Sequence, residues 1–204
     1  MSNYTVLLFH TVDDRDLLSF RDFGNIRPDL FEKFIVRLKK EFDIVCLSDM
    51  VRCISGQKRR AGNLLALTFD DGPKSYAAQT VPILQAHGVP STCFLITDCI
   101  GDKAVYWRYF YNYCIRKGAG SELAGFINDE YHADIRADEI ISFTRNHYES
   151  AKNARIIEKL FAGVVTEEEY REEEKGLFLS EEDIRKLQQG PLVSFGIIHV
   201  HIRF

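Results

Sequence analysis

Apolar runs with little alternation punctuate the first half of this chain, and stretches of helical spacing lie between them. Tyr4 to His10, Asp43 to Leu47, Leu64 to Phe69 and Ser91 to Thr97 each read as a short buried strand. After the first of these, Asp13 to Arg27 is a polar loop, and Pro28 then opens a helix. Phe31, Phe34, Ile35, Leu38 and Phe42 fall on one face of it, with Glu32, Lys33, Arg37, Lys39 and Lys40 on the other. Ser48 is placed to cap a second helix that ends by Gly56. A third runs from Ser75 to His87 with Gly88 as its stop, and Pro82 must kink or split it. Strands alternating with helices in this order predict parallel β/α units.

From Asp98 to Leu179 the pattern changes to helices alone. Val105 to Lys117 carries aromatics on both sides, so core packing is its reading, against a sugar-stacking edge. Glu167-Glu168-Glu169 and Glu172-Glu173-Glu174 read as a solvated acidic helix, and His132 and His147 as surface histidines. The whole stretch 98–179 is expected to be a helical insertion within one domain covering 1–204. Ser180-Glu181-Glu182-Asp183 resembles a capping box, Ile184 and Leu187 face inward, and Gly190-Pro191 closes that helix. Leu192 to Ile198 is a last strand.

Composition narrows the function classes. At 204 residues, 46% hydrophobic and 12% aromatic, the chain can bury a full core. A net charge of −4 does not favour nucleic acid or an anionic membrane, and the short basic run Lys58-Arg59-Arg60 reads as a loop. No run is long enough for a membrane span. The five cysteines are Cys46, Cys53, Cys93, Cys99 and Cys114; they are odd in number, include no Cys-x-x-Cys pair and sit mostly in apolar stretches. That implies a reducing compartment, and Val6-Leu7-Leu8-Phe9 is too short for a secretory core, so the expected location is cytoplasmic. Oligomeric state is not legible.

The chemistry concentrates in Leu64-Leu65-Ala66-Leu67-Thr68-Phe69-Asp70-Asp71-Gly72-Pro73. A buried strand ends there in two adjacent carboxylates, and Gly-Pro then turns the chain. The C-terminal ends of parallel strands are where binding and catalytic groups gather. Like charges at such an edge need a counter-charge or a shared proton. A divalent ion on one Asp, with the other as general base, meets that need. The alternative is a surface turn. The adjacency argues against haloacid-dehalogenase-like phosphatases, which need Asp-x-Asp; Gly72 holds the place of the second Asp.

Thr68-Phe69-Asp70-Asp71-Gly72-Pro73 resembles the first motif of the polysaccharide deacetylases (carbohydrate esterase family four, the NodB-like homology domain) at all six positions. Ser91-Thr92-Cys93-Phe94 is similar to the family's next strand, and Phe9-His10-Thr11-Val12 to an opening Tyr-His-x-Val. The resemblance implies an α/β fold, a partial (β/α) barrel of about five parallel strands with a helical insertion. It implies metal-dependent hydrolysis of acetyl groups on N-acetylated or O-acetylated sugars, the substrate being an oligo- or polysaccharide. Asp70 would be the catalytic base, Asp71 a ligand of a divalent ion, most simply zinc, and His10 a substrate-pocket residue.

The resemblance breaks after Gly196. The family's second motif, Gly-Ser-His-Thr/Ser-x-x-His-Pro, would put histidines at positions held by Ile198 and Ile202, and the chain offers His199 and His201 instead. Residues two apart on a strand share a face about 6–7 Å apart, so both are candidate metal ligands; the alternative is a frayed terminus. The later family motifs have no counterpart before Phe204. The expectation is therefore a member truncated or frame-shifted after the start of the second motif, its last eight residues no longer family sequence. Its rival is a catalytically dead fragment, or a carbohydrate- or partner-binding module of the same fold.

Overall fold

The computed structural model describes residues 3–20 and 24–198. Five parallel strands form one sheet: β1 (Asn3–Phe9), β2 (Asp43–Ile44), β3 (Asn63–Phe69), β4 (Ser91–Ile96) and β5 (Val193–Ile198). Its path runs β1-β3-β4-β5, with β2 paired to β3. This is the α/β fold with about five parallel strands that the sequence predicts. The second edge of β3 is shared. Its start pairs with β2, Asp43 opposite Leu64, and its end with β4, Phe69 opposite Cys93.

The chain divides into two compact units. Among the described residues, the first holds 3–15, 24–103 and 176–198, hence the whole sheet; the second holds 16–20 and 104–175. In the first unit, β3 is buried on both faces, which explains its lack of alternation. Leu65, Leu67 and Phe69 join Phe31, Ile35 and Leu38 of α1 (Pro28–Glu41), while Leu64 and Ala66 meet Met50 and Cys53 of α2 (Leu47–Ile54). The strand is the seam between two apolar layers. Ser48 lies inside α2, whose N-cap is Cys46, so it does not cap that helix. Pro82 splits its helix as expected: a π-helical turn at Tyr76–Thr80 precedes α3 (Val81–Ala86). Proline lacks the N–H for an i→i−4 bond, and Val81 N–H reaches back to the Tyr76 carbonyl instead.

β1 departs from its predicted burial. Tyr4, Val6 and Leu8 are 41%, 49% and 55% exposed, all on one face. As an edge strand, β1 has only one face covered by described residues, and Leu7 and Phe9 take it. Just before β5 in the chain, α9 (Glu181–Leu187) begins with the predicted capping box. Ser180 Oγ accepts from Asp183 N–H at 3.1 Å, and the Asp183 carboxylate accepts from Ser180 N–H at 2.8 Å.

The second unit is helical: α4 (Trp107–Arg116), α5 (Gly120–Tyr131), α6 (Ile140–Asn146), α7 (Ser150–Gly163) and α8 (Glu167–Glu173). Tyr109, Phe110, Tyr111 and Tyr113 of α4 are fully buried, so the aromatic helix is core on both sides. The acidic helix does more than solvate. Glu173 accepts from Tyr113 Oη at 2.9 Å and pairs with Lys117. Glu174 is buried and accepts the backbone N–H groups of Leu18 and Ser19 at 2.9 and 3.3 Å, and burial, the larger effect, raises its carboxyl above the usual range. The five cysteines are all free thiols.

Gly196 carries a testable packing constraint. It sits opposite Phe94, and a Cβ there would lie 2.5 Å from the Phe94 ring. Gly196→Ala is expected to destabilise the fold by roughly 1–3 kcal/mol through overpacking. Adding Phe94→Leu should restore most of the loss in urea unfolding, and an unchanged midpoint for the single variant would refute the constraint.

Candidate active site

Parallel pairing in register brings the ends of β1 and β3 side by side: Phe9 lies opposite Phe69, and Asp70 N–H donates to the Phe9 carbonyl at 2.9 Å. The next residue of each strand is therefore His10 on one side and Asp70 on the other. Asp71 follows in the left-handed region, at φ 71°, which an Asp tolerates better than most residues. Gly72 continues in that region at φ 72°, and a Cβ on it would stand 2.7 Å from Leu95 Cδ2. Only glycine suits that position, for both conformation and space. Two successive left-handed residues turn the chain sharply and return the Asp71 side chain toward β1. Its Oδ2 lies 3.5 Å from His10 Nδ1, with the two side chains 9% and 38% exposed.

The turn is clamped from outside the motif. Leu179 N–H donates to the Gly72 carbonyl at 2.9 Å and Lys74 N–H to the Leu177 carbonyl at 2.7 Å, with a bridge between Pro73 and Phe178. Asp102 fixes the clamping segment by accepting from Gly176 and Phe178 N–H, each at 2.9 Å. Lys74 Nζ pairs with Asp183, the capping residue of α9. On the β1 side, the buried Asp13 carboxylate holds Arg15 at 2.8 Å. Asp13 apart, these positioning residues escape a linear reading because each lies far in sequence from what it holds. Asp13-x-Arg15 and the Gly101-Asp102 turn are the only local signals.

Burial, and then the neighbouring Asp71 charge, raise the Asp70 carboxyl above the usual carboxylate range, with His10 opposing. Burial foremost, then both aspartates, push the Cys93 thiol up, and burial and Asp71 do the same to Cys99. Neither thiol is an available nucleophile.

Asp70, Asp71 and His10 thus stand together at the ends of β1 and β3. His199 and His201 lie outside the described residues. Among the described residues no three His, Cys, Asp or Glu side chains are placed to hold one metal ion. Asp71 and His10 supply at most two of the three protein ligands that zinc ordinarily takes. The described donors therefore do not fit a complete zinc site.

Comparison with known proteins bears on this geometry. The polysaccharide deacetylase family model matches residues 57–155, a span that includes β3 and the acid pair. No curated protein matches the chain at a significant level. A solved de-N-acetylase from Aggregatibacter actinomycetemcomitans is similar over 95% of this chain and 53% of its own, with 16% identity and a TM-score of 0.54, a likeness of fold. IcaB from Ammonifex degensii is similar over 57% of this chain and 50% of its own, at 20% identity and a TM-score of 0.44. A polysaccharide deacetylase from Bacillus cereus is similar over 95% and 64%, at 15% identity and a TM-score of 0.38. The chain spans about half the length of the first two.

The raised Asp70 carboxyl has a stability consequence. Its folded pKa lies above the unfolded value, so the folded state keeps a proton where the unfolded state has lost it. Stability then falls as pH rises through that window. Asp70→Asn is expected to raise the thermal midpoint at neutral pH, and the gain should fade below the ordinary aspartate range. A midpoint lowered at neutral pH would contradict the assignment.

Proposed function

We propose that this chain is a polysaccharide deacetylase that hydrolyses acetyl groups from N-acetylated, or O-acetylated, sugars of an oligo- or polysaccharide, a reading supported by the match of that family's model to residues 57–155. The observation that supports this best is Asp70: a half-buried carboxylate of raised proton affinity beside a second, buried carboxylate, at the mouth of a parallel sheet. A general base works best when its proton affinity is drawn toward the working pH, and burial moves Asp70 in that direction. Asp70 accepts a proton from water as the water oxygen bonds to the acetyl carbonyl carbon. Collapse of the adduct breaks the carbon–nitrogen bond, the proton passes to the departing amine, and acetate and a free amino sugar result. Asp71 Oδ2 lies 3.5 Å from His10 Nδ1 and orients the imidazole beside Asp70.

A divalent cation, zinc by resemblance, enters the proposal as a loosely held ion at Asp71, because the described residues supply no third ligand. The incomplete donor set also supports a second reading: a carbohydrate- or partner-binding module without turnover.

Acetate release from acetylated chito-oligosaccharides tests both readings. Asp70→Asn should lower the rate roughly 10²–10⁴-fold, the range general-base catalysis contributes. Equal and negligible rates for the parent and the variant would select the binding module. Zinc counted per chain after gel filtration should be well below stoichiometric. A tightly held equivalent would refute the loose site.

A further inference from the structure

The second unit contains an open cavity of about 520 Å³ built by the end of α5, the end of α6 and the start of α7. Its walls are aromatic. Phe143 and His147 stack at 4.3 Å with an interplanar angle of 14°, and Tyr131 meets Phe143 edge-on at 5.6 Å. Tyr148 stacks on Trp107 at 5.3 Å and remains 37% exposed, whereas the tyrosines of α4 are fully buried. Rings that could have packed inward instead face an open space of ligand size.

The polar groups among these rings are arranged for a neutral partner. Lys152 Nζ lies 2.7 Å from the Glu149 carboxylate and 4.6 Å from the centre of the Tyr131 ring, so its charge is balanced locally. An anion would have to compete with Glu149 for that ammonium, which disfavours phosphate or carboxylate ligands. His147 Nδ1 is 3.0 Å from the Phe143 carbonyl, which can only accept, so Nδ1–H donates there and Nε2 is the second polar atom of the ring. The Tyr131 hydroxyl accepts from Glu149 N–H at 3.1 Å and Asn153 Nδ2 at 3.2 Å, leaving its own proton to donate. Flat apolar faces edged by donors and acceptors, with the Lys152 charge paired to Glu149, match a ring with one apolar face and a rim of hydroxyls. That chemistry is a saccharide's.

We propose that this cavity, walled by Tyr131, Phe143, His147 and Tyr148, is a sugar-binding site of the helical unit. The choice of an N-acetylated sugar as its ligand rests on the deacetylase reading; the choice of a neutral saccharide rests on the cavity alone.

Trp107 is the only tryptophan of the chain, and it reports on the site through Tyr148. Titrating the full chain with N-acetylated chitotetraose should give a saturable change in tryptophan emission. His147→Ala removes one stacking face and Lys152→Met the polar edge, and each should weaken the titration about tenfold or more, a factor worth 1.4 kcal/mol. Circular dichroism identifies a variant that fails to fold, and the other then decides. Asp70→Asn should titrate like the parent. No saturable change for the parent, or unchanged titrations for the folded variants, would overturn the site. Acetate release from the same samples separates the two readings. Hydrolysis without saturable emission overturns the cavity site alone, and saturable emission without hydrolysis overturns the deacetylase reading alone.

Discussion

Asp70 and Asp71 repel one another at the end of a strand buried on both faces, and the surrounding structure has to hold them there. The end of β3 cannot move, because Leu65, Leu67 and Phe69 are locked in one apolar layer while Leu64 and Ala66 are locked in another. The turn cannot relax, because Gly72 presses against Leu95 and the 177–179 segment binds both its sides. Asp71 turns back to His10, and burial, with the Asp71 charge, raises the proton affinity of Asp70. Removing either constraint would let the carboxylates part and lose their difference in character. Chemistry at this site is thus a product of packing as much as of the acids themselves.

Stability and chemistry pull in opposite directions here. A half-buried carboxylate next to another is a cost that folding bears throughout the neutral range. Structures retain such costs where a reaction uses them. By contrast, the buried Glu174 in the helical unit has a structural use: its two oxygens satisfy two backbone N–H groups of the 16–20 segment, and Asn112 accompanies it by donating to the carbonyls of Leu18 and Ser19. One buried acid is fully engaged and serves as a tie. The other carries its raised affinity in a half-buried place, which suits the base role proposed for it.

The aromatic residues divide in the same way. On α4 they are packed on every side and hold the helical unit together, Phe110 against Phe161 at 4.5 Å and Tyr113 against Tyr170 at 5.0 Å. At the α5–α7 end they are only partly covered and border an open space. Counting aromatics along the chain cannot separate these groups, because helical spacing reports which residues share a face and not whether that face meets protein or solvent.

The sequence by itself determined the elements that local physics controls. Unbroken apolar runs marked β3 and β4, the spacing of Phe31, Ile35 and Leu38 marked α1, Pro82 marked a break, and Ser180 with Asp183 marked the start of α9. The acid pair was legible because its turn chemistry is compact and its six residues are contiguous. Tertiary structure alone decided the rest. It left one face of β1 exposed, since an edge strand is covered only where another element reaches it. It made Glu174 a buried tie and not a solvated charge, and moved the start of α2 ahead of Ser48. It brought His10 to Asp71 and gathered His147, Tyr148 and Tyr131 around one cavity. Such meetings depend on strand register and helix packing, which no local stretch of residues encodes.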